Sequence, residues 1–220
     1  MLKHCISKIG NKSVKVVFKL FDAMIIPILT YGAEIWGTCP RESIETVQNK
    51  LCKWILNLGN KTPNILARQE CGRHELHVIY MAKPIIYFLK IQEMHEDRLP
   101  RHCYNMLYSL DEAGRKTWCT NVRSLLYEIG FGYAQGVGSI KAFRVILKQR
   151  LRDINIQEVS ANLQKSNKYR FYTQINDRGI RVAEYLSVVP QYLRFYLSIL
   201  RCSTHNLEVE VGRRSGVEYL

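Results

Sequence analysis

The chain has 220 residues, and 47% of them are hydrophobic, which is enough to build a core and excludes a disordered chain. Its length suits one ordinary domain or two small ones. The 32 Lys and Arg residues outnumber the 19 Asp and Glu residues, and the net charge of +13 favours a polyanionic partner. Nucleic acid, an anionic membrane surface and an acidic protein are all compatible with that charge.

The cysteines and the apolar segments indicate the compartment. The 7 cysteines include no CxxC pair, which favours reduced thiols in a cytoplasmic or nuclear protein. The first ten residues lack the apolar segment of a secretory signal. The most apolar stretch, 23–28, is interrupted by Pro27 and is far shorter than the roughly 20 residues that span a bilayer, so no membrane partner is expected.

Apolar spacing predicts helices almost throughout, and therefore an all-α fold in the form of an irregular helical bundle. The first helix has an apolar stripe from Val14 to Ile28 and is expected to bend or end at Pro27. The second runs from Glu42 to about residue 59. Its expected inward residues are Ile44, Val47, Leu51, Trp54, Ile55 and Leu58.

Later helices follow from the same spacing. Thr62 and Pro63 predict the start of a short helix that stops at Gly72, and Pro84 is expected to kink the longer pattern in 76–94. Further helices are predicted at 101–110, 117–129, 140–151 and 190–202. The last is expected to bury Leu193, Tyr196, Leu197 and Leu200.

No catalytic constellation is found. The aspartates are isolated, with no Asp-Asp or Asp-x-Asp spacing that could hold two divalent ions for nucleotidyl transfer. His74 and His77, near Cys71, form the best candidate metal cluster, but no second ligand pair at zinc spacing accompanies them. We therefore expect no catalytic residue, no metal and no cofactor.

Basic residues provide the strongest binding signal. Lys8, Lys12, Lys15 and Lys19, here called the lysine ridge, recur three and four residues apart, roughly opposite the first apolar stripe. Such a helix offers a core face and a phosphate-binding face, although a merely solvated lysine face is the alternative. Lys50 and Lys53 lie off the apolar face of the second helix and are secondary candidates.

Three segments resemble one family. The first is 20–37, with Leu-Phe-Asp followed by Tyr31, Gly32, Glu34 and Trp36; the second is 70–73, with Glu70, Gly72 and Arg73. The third, 200–213, contains the following motif residues: His205, Glu210, Gly212 and Arg213. Together they resemble the region downstream of the polymerase palm in reverse transcriptases of non-LTR retrotransposons, the long interspersed element type.

The resemblance implies a thumb-like helical bundle at 1–100 and a helical connecting region at 139–220, truncated before a Cys-rich segment. Between them, apolar spacing predicts a helical pair at 101–130, and the four glycines of 130–138 predict a glycine-rich hinge at 131–138. Implied partners are RNA or an RNA/DNA hybrid and the palm and fingers of a reverse transcriptase. The Ala-Asp-Asp motif of that family has no counterpart here, so the resemblance implies a non-catalytic fragment. The alternative is a helical protein-interaction module, or a non-functional remnant with an exposed surface that formerly packed on the palm.

Overall fold

The computed structural model describes residues 13–132, 139–166, 169–176 and 179–204. Every regular element in these ranges is helical, so the predicted all-α fold is confirmed. The β pairing recorded there is a single antiparallel bridge between Cys71 and Val182. Across the same ranges, no helix has both the length and the apolar character needed to cross a membrane.

The regular elements are described by their bounds in chain order. They are α1 (Val14–Leu20), a π-helical turn (Phe21–Ile25), α2 (Ile26–Leu29), α3 (Ala33–Trp36), α4 (Glu42–Ile55), α5 (Asn64–Glu70), α6 (His77–Tyr80), α7 (Ala82–Gln92), α8 (Leu99–Glu112), α9 (Trp118–Glu128), α10 (Ile140–Gln164), α11 (Arg170–Ile175), α12 (Tyr185–Val188) and α13 (Gln191–Arg201).

The chain divides into two compact units that interleave along the sequence. Unit 1 takes the described residues of Met1–Ile26, Ser43–His74 and Ile156–Leu220, and unit 2 consists of Pro27–Glu42 together with the described part of Glu75–Asn155. The domain boundaries expected near residues 100, 130 and 138 stay predictions. Most of the predicted hinge, 133–138, lies outside the described residues.

Pro27 does not end the first helix. A π-helical turn precedes it, in which the backbone N–H of Ile26 bonds to the carbonyl of Phe21, and the helix then continues to Leu29. Proline has no N–H and its ring crowds the preceding turn, and a wider π turn relieves that crowding. Residues 14, 17, 18 and 21 of the apolar stripe are buried, but the expectation that Ile28 faces the core is wrong, since it is 69% exposed.

Helix α4 buries a polar face that its apolar pattern did not predict. Val47 and Trp54, expected inward, are both partly exposed, whereas Gln48 and Asn49 are buried. The Asn49 side-chain oxygen accepts a hydrogen bond from Arg68 at 2.8 Å, and Gln48 donates to the carbonyl of His74 at 2.7 Å. Satisfied hydrogen bonds remove the penalty of burying these amides, so the polar face can turn inward.

Two helix boundaries differ from expectation for identifiable reasons. The pattern in 76–94 is broken at Met81, between α6 and α7, and Pro84 sits in the first turn of α7, where its missing N–H leaves no helical bond unmade. Helix α4 ends before Asn57, which has the left-handed φ of 53°. The predicted pair at 101–110 and 117–129 is present as α8 and α9, and Gly130, with φ of 84°, follows the second.

Candidate nucleic-acid interface

The described half of the lysine ridge lies on the solvent side of α1. Lys15 and Lys19 are exposed one turn apart, while Val14, Val17 and Phe18 on the other side of the helix are buried. Because both ammonium groups project from a helix that is anchored by its core face, they can contact two phosphates of one backbone. Lys8 and Lys12 lie outside the described residues.

The two secondary candidates on α4 differ in their surroundings. Lys50 is exposed, so its ammonium group is accessible to a ligand. Lys53 is half-buried, its Nζ donates a hydrogen bond to the carbonyl of Asn60 at 2.8 Å, and burial lowers its pKa. A phosphate would compete with that intramolecular bond, which makes Lys50 the better placed of the pair.

The motif around Tyr31 forms a local turn. Gly32 adopts a left-handed φ of 65° directly before α3, and the indole Nε1 of Trp36 donates back to the Tyr31 carbonyl at 2.9 Å. Trp36 also packs on Tyr80, with ring centroids 5.3 Å apart. Glu34 lies 3.9 Å from the ammonium of Lys83. These contacts give the segment a folding role within unit 2.

In the second motif, Arg73 joins three parts of unit 1. Its guanidinium makes a two-pronged contact with Asp22 at 3.0 and 2.5 Å and donates from Nε to Gln48 at 3.1 Å. The same group lies 4.6 Å from the ring centroid of Phe18. Planar guanidinium geometry permits this combination of a bidentate ion pair and stacking. Arg73 is therefore engaged in holding α1 and α4 to the loop after α5.

Glu70 is the acidic centre of a buried network in unit 1. Its side chain is 1% exposed, and both carboxylate oxygens accept from Nε of Arg201, at 3.1 and 2.9 Å. Burial, and then the charge of Glu70, raise the pKa of Tyr172 and of Tyr185. The adjacent Gly72 has φ of 63°, and a Cβ there would collide with the backbone of Val182.

This network explains why α13 is turned differently from its apolar pattern. Arg201 must reach the buried carboxylate, and Ser198, one turn earlier on the same side, is fully buried. The opposite side therefore faces solvent. Of the residues expected inward, Leu193, Tyr196 and Leu200 are exposed and Leu197 is half-buried. The predicted burial of the first three is wrong.

A second row of cations lies on α10. Lys141, Arg144, Lys148 and Arg152 are all exposed, whereas Phe143, Leu147 and Leu151 are buried. At 100° per residue the four cations fall within about 80° of one another. Their spacing of three, four and four residues is helical, as is the spacing of four, three and four in the lysine ridge. The sequence carried this signal, but the helix was predicted only as far as residue 151 and its charges were not placed on a face.

The described residues do not assemble the candidate metal cluster of His74, His77 and Cys71. Nδ1 of His77 lies 3.1 Å from a carboxylate oxygen of Glu75, and no group of three or more His, Cys, Asp or Glu side chains in the described ranges could hold a metal ion. The third motif cannot be placed, because 205–220 lies outside the described residues; it contains His205, Glu210, Gly212 and Arg213.

The chain matches no protein-family model, no curated protein and no solved structure.

Proposed function

We propose that this chain is the thumb and connecting region of a non-LTR retrotransposon reverse transcriptase, and that it binds template and primer nucleic acid without catalysing polymerisation. The motif segments 20–37 and 70–73 support the relationship. One observation carries the binding function: two helices, α1 and α10, each combine a buried apolar face with exposed cations spaced by one helical turn.

Contacts of this kind recognise the backbone and not the bases. Lysine ammonium groups neutralise phosphates and release condensed counterions, so affinity falls as the salt concentration rises. The proposed partner is RNA or an RNA/DNA hybrid. Binding should tolerate changes of sequence, because phosphate contacts position a protein on a duplex and carry no base information.

The test is a titration of the whole chain against a labelled RNA–DNA duplex at two salt concentrations. The expected result is salt-sensitive binding that weakens when all four ridge lysines, Lys8, Lys12, Lys15 and Lys19, are replaced by alanine. Lys15→Ala/Lys19→Ala isolates the described pair, and Lys61→Ala/Lys165→Ala is its charge-matched control, since both control lysines are exposed in unit 1. Affinity that ignores salt, or survives the four alanines, would contradict the proposal.

A protein-interaction module is the second candidate function, and the exposed face of α13 favours it. Tyr192, Leu193, Tyr196 and Leu200 fall within about 100° of one another around the helix, and the two tyrosines are 72% and 66% exposed. Exposed aromatic clusters of this kind mark protein-contact surfaces. The partner proposed for this face is the palm and fingers portion of a reverse transcriptase.

Sedimentation of the purified chain, mixed with a palm and fingers fragment from a non-LTR reverse transcriptase, tests this candidate. A complex should form and should be lost in Tyr192→Ser/Tyr196→Ser. Tyr127→Ser is a control, because Tyr127 is at least as exposed as the two α13 tyrosines but lies on α9 in unit 2. No complex, or a complex insensitive to the α13 changes, would contradict it.

A further inference from the structure

A groove in unit 2 has an apolar floor and basic walls. Its volume is about 510 Å³, and the floor is formed by Ile79, Ala82, Ile86 and the ring of Tyr87. This volume is typical of sites that bind small molecules, and a single nucleotide is of that size. We propose that this groove binds single-stranded nucleic acid, with a base against Tyr87 and the backbone between the two basic walls.

The charge of the groove selects an anion. Lys83 and Lys90 line one wall from α7, and Arg144 and Lys148 line the other from α10. Glu34 is the one acidic side chain among the described lining residues, which leaves an excess of three positive charges. Lys83 is already engaged, since its Nζ donates to the carbonyl of Thr30 at 2.7 Å and lies 3.9 Å from Glu34. The other three cations are available to phosphates.

The spacing of the cations suits an extended chain of phosphates. The three available cations come from two helices: Lys90 from α7, and Arg144 and Lys148, which are one turn or about 6 Å apart, from α10. Available cations therefore lie on both walls of the groove. A compact anion would engage only part of this arrangement, whereas a strand can follow it.

The floor distinguishes a single strand from a duplex and from an acidic peptide. Tyr87 lines the groove, and its ring makes an edge-on contact with Trp118, at 6.1 Å between centroids. Single strands offer unpaired bases that stack on aromatic side chains, whereas a duplex presents only phosphates and groove edges. The carboxylates of an acidic peptide can pair with the cations, but they offer no planar ring that stacks on Tyr87.

The inference rests on the proposed function in taking nucleic acid as the anion, but it concerns a different surface from the lysine ridge. Measurement of fluorescence anisotropy with a labelled oligothymidylate of about ten nucleotides tests it on the full chain. Arg144→Gln/Lys148→Gln should lower the slope of log affinity against log salt by about 1.4, at about 0.7 per phosphate contact for single strands. Arg115→Gln/Lys116→Gln, which removes two exposed cations of unit 2 outside the groove, should leave the slope unchanged.

Variants of Tyr87 distinguish the contribution of base stacking from that of charge. Tyr87→Leu should weaken oligothymidylate binding about tenfold, while Tyr87→Phe, which keeps the ring, should bind like the wild-type chain. Circular dichroism confirms that each variant is folded; if the leucine variant is unfolded, the salt slope of Arg144→Gln/Lys148→Gln still tests the groove. Poly-glutamate of equal charge should compete weakly. Equal competition by poly-glutamate, or unchanged binding by folded Tyr87→Leu, would overturn the inference.

The same panel separates the two proposals. Lys15→Gln/Lys19→Gln should weaken duplex binding and spare the oligothymidylate, whereas Tyr87→Leu should weaken oligothymidylate binding and leave duplex binding unchanged. Salt-sensitive duplex binding that depends on Lys15 and Lys19, with no binding of the oligothymidylate, would overturn the groove and leave the proposed function standing. Failure to bind either nucleic acid would overturn both.

Discussion

Replacing Arg201 by methionine should show how much the buried ion pair with Glu70 contributes to the stability of unit 1. The change leaves the Glu70 carboxylate in a site where its side chain is 1% exposed, without the guanidinium that bonds both of its oxygens at 3.1 and 2.9 Å. Removing one partner of a buried pair typically costs about 3–5 kcal/mol. Because the Arg201 side chain is 25% exposed, water already screens the pair, and we expect about 3 kcal/mol.

Urea unfolding, followed by circular dichroism at 222 nm, measures this cost through the free energy of unfolding. Glu70→Gln/Arg201→Met removes both charges and should be more stable than Arg201→Met alone by about 2 kcal/mol, because no uncompensated carboxylate remains. Arg170→Met, at an exposed arginine of the same unit, should cost less than about 0.5 kcal/mol. A cost below 1 kcal/mol for Arg201→Met, or simple additivity in the double variant, would refute the reasoning.

Two further predictions concern the same unit. Gly72→Ala should lower the free energy of unfolding, measured in urea, by about 2–3 kcal/mol, since φ is 63° and the new Cβ meets the Val182 backbone. Gly114→Ala is the control: its φ is 79° but the space around it is open, so it should cost about 1 kcal/mol. Equal costs would contradict the packing argument. Burial, followed by the charge of Glu70, raises the pKa of the Cys202 thiol, so this thiol loses its proton first in the unfolded chain. Its contribution to stability should be constant below about pH 8.5 and fall above it. Cys202→Ala should reduce that alkaline slope by up to about 1.4 kcal/mol per pH unit in thermal or urea unfolding, and an unchanged slope would count against the assignment.

The class of fold was predictable because helical periodicity is a local property. The apolar positions of α1, α8 and α9 recur every three or four residues, and Gly72 and Gly130 mark helix ends through their left-handed φ. Those features are determined by neighbours in sequence, so a single sequence shows them.

The orientation of α4 and α13 was not predictable from the same periodicity. Hydrophobic spacing predicted that Trp54 and Tyr196 face the core. Long-range polar pairs determine the actual orientation of the two helices: Asn49 bonds to Arg68, and Glu70 bonds to Arg201 across 131 residues. No local pattern reveals a partner that distant. The candidate site was predictable only in part for a related reason. The cations of α1 and α10 repeat at helical spacing and can be found in the sequence, whereas the groove depends on the approach of α7 to α10 in space, which the sequence does not show.

The central claim, that the exposed lysines of α1 contact phosphates of a bound duplex, is tested most directly by the slope of log affinity against log salt concentration. For an RNA–DNA duplex, Lys15→Gln/Lys19→Gln should reduce that slope by about 1.8, at about 0.9 per phosphate contact, while Lys61→Gln/Lys165→Gln should leave it unchanged. The same slope in the wild-type chain and in Lys15→Gln/Lys19→Gln would show that these lysines do not contact the backbone and would contradict the account.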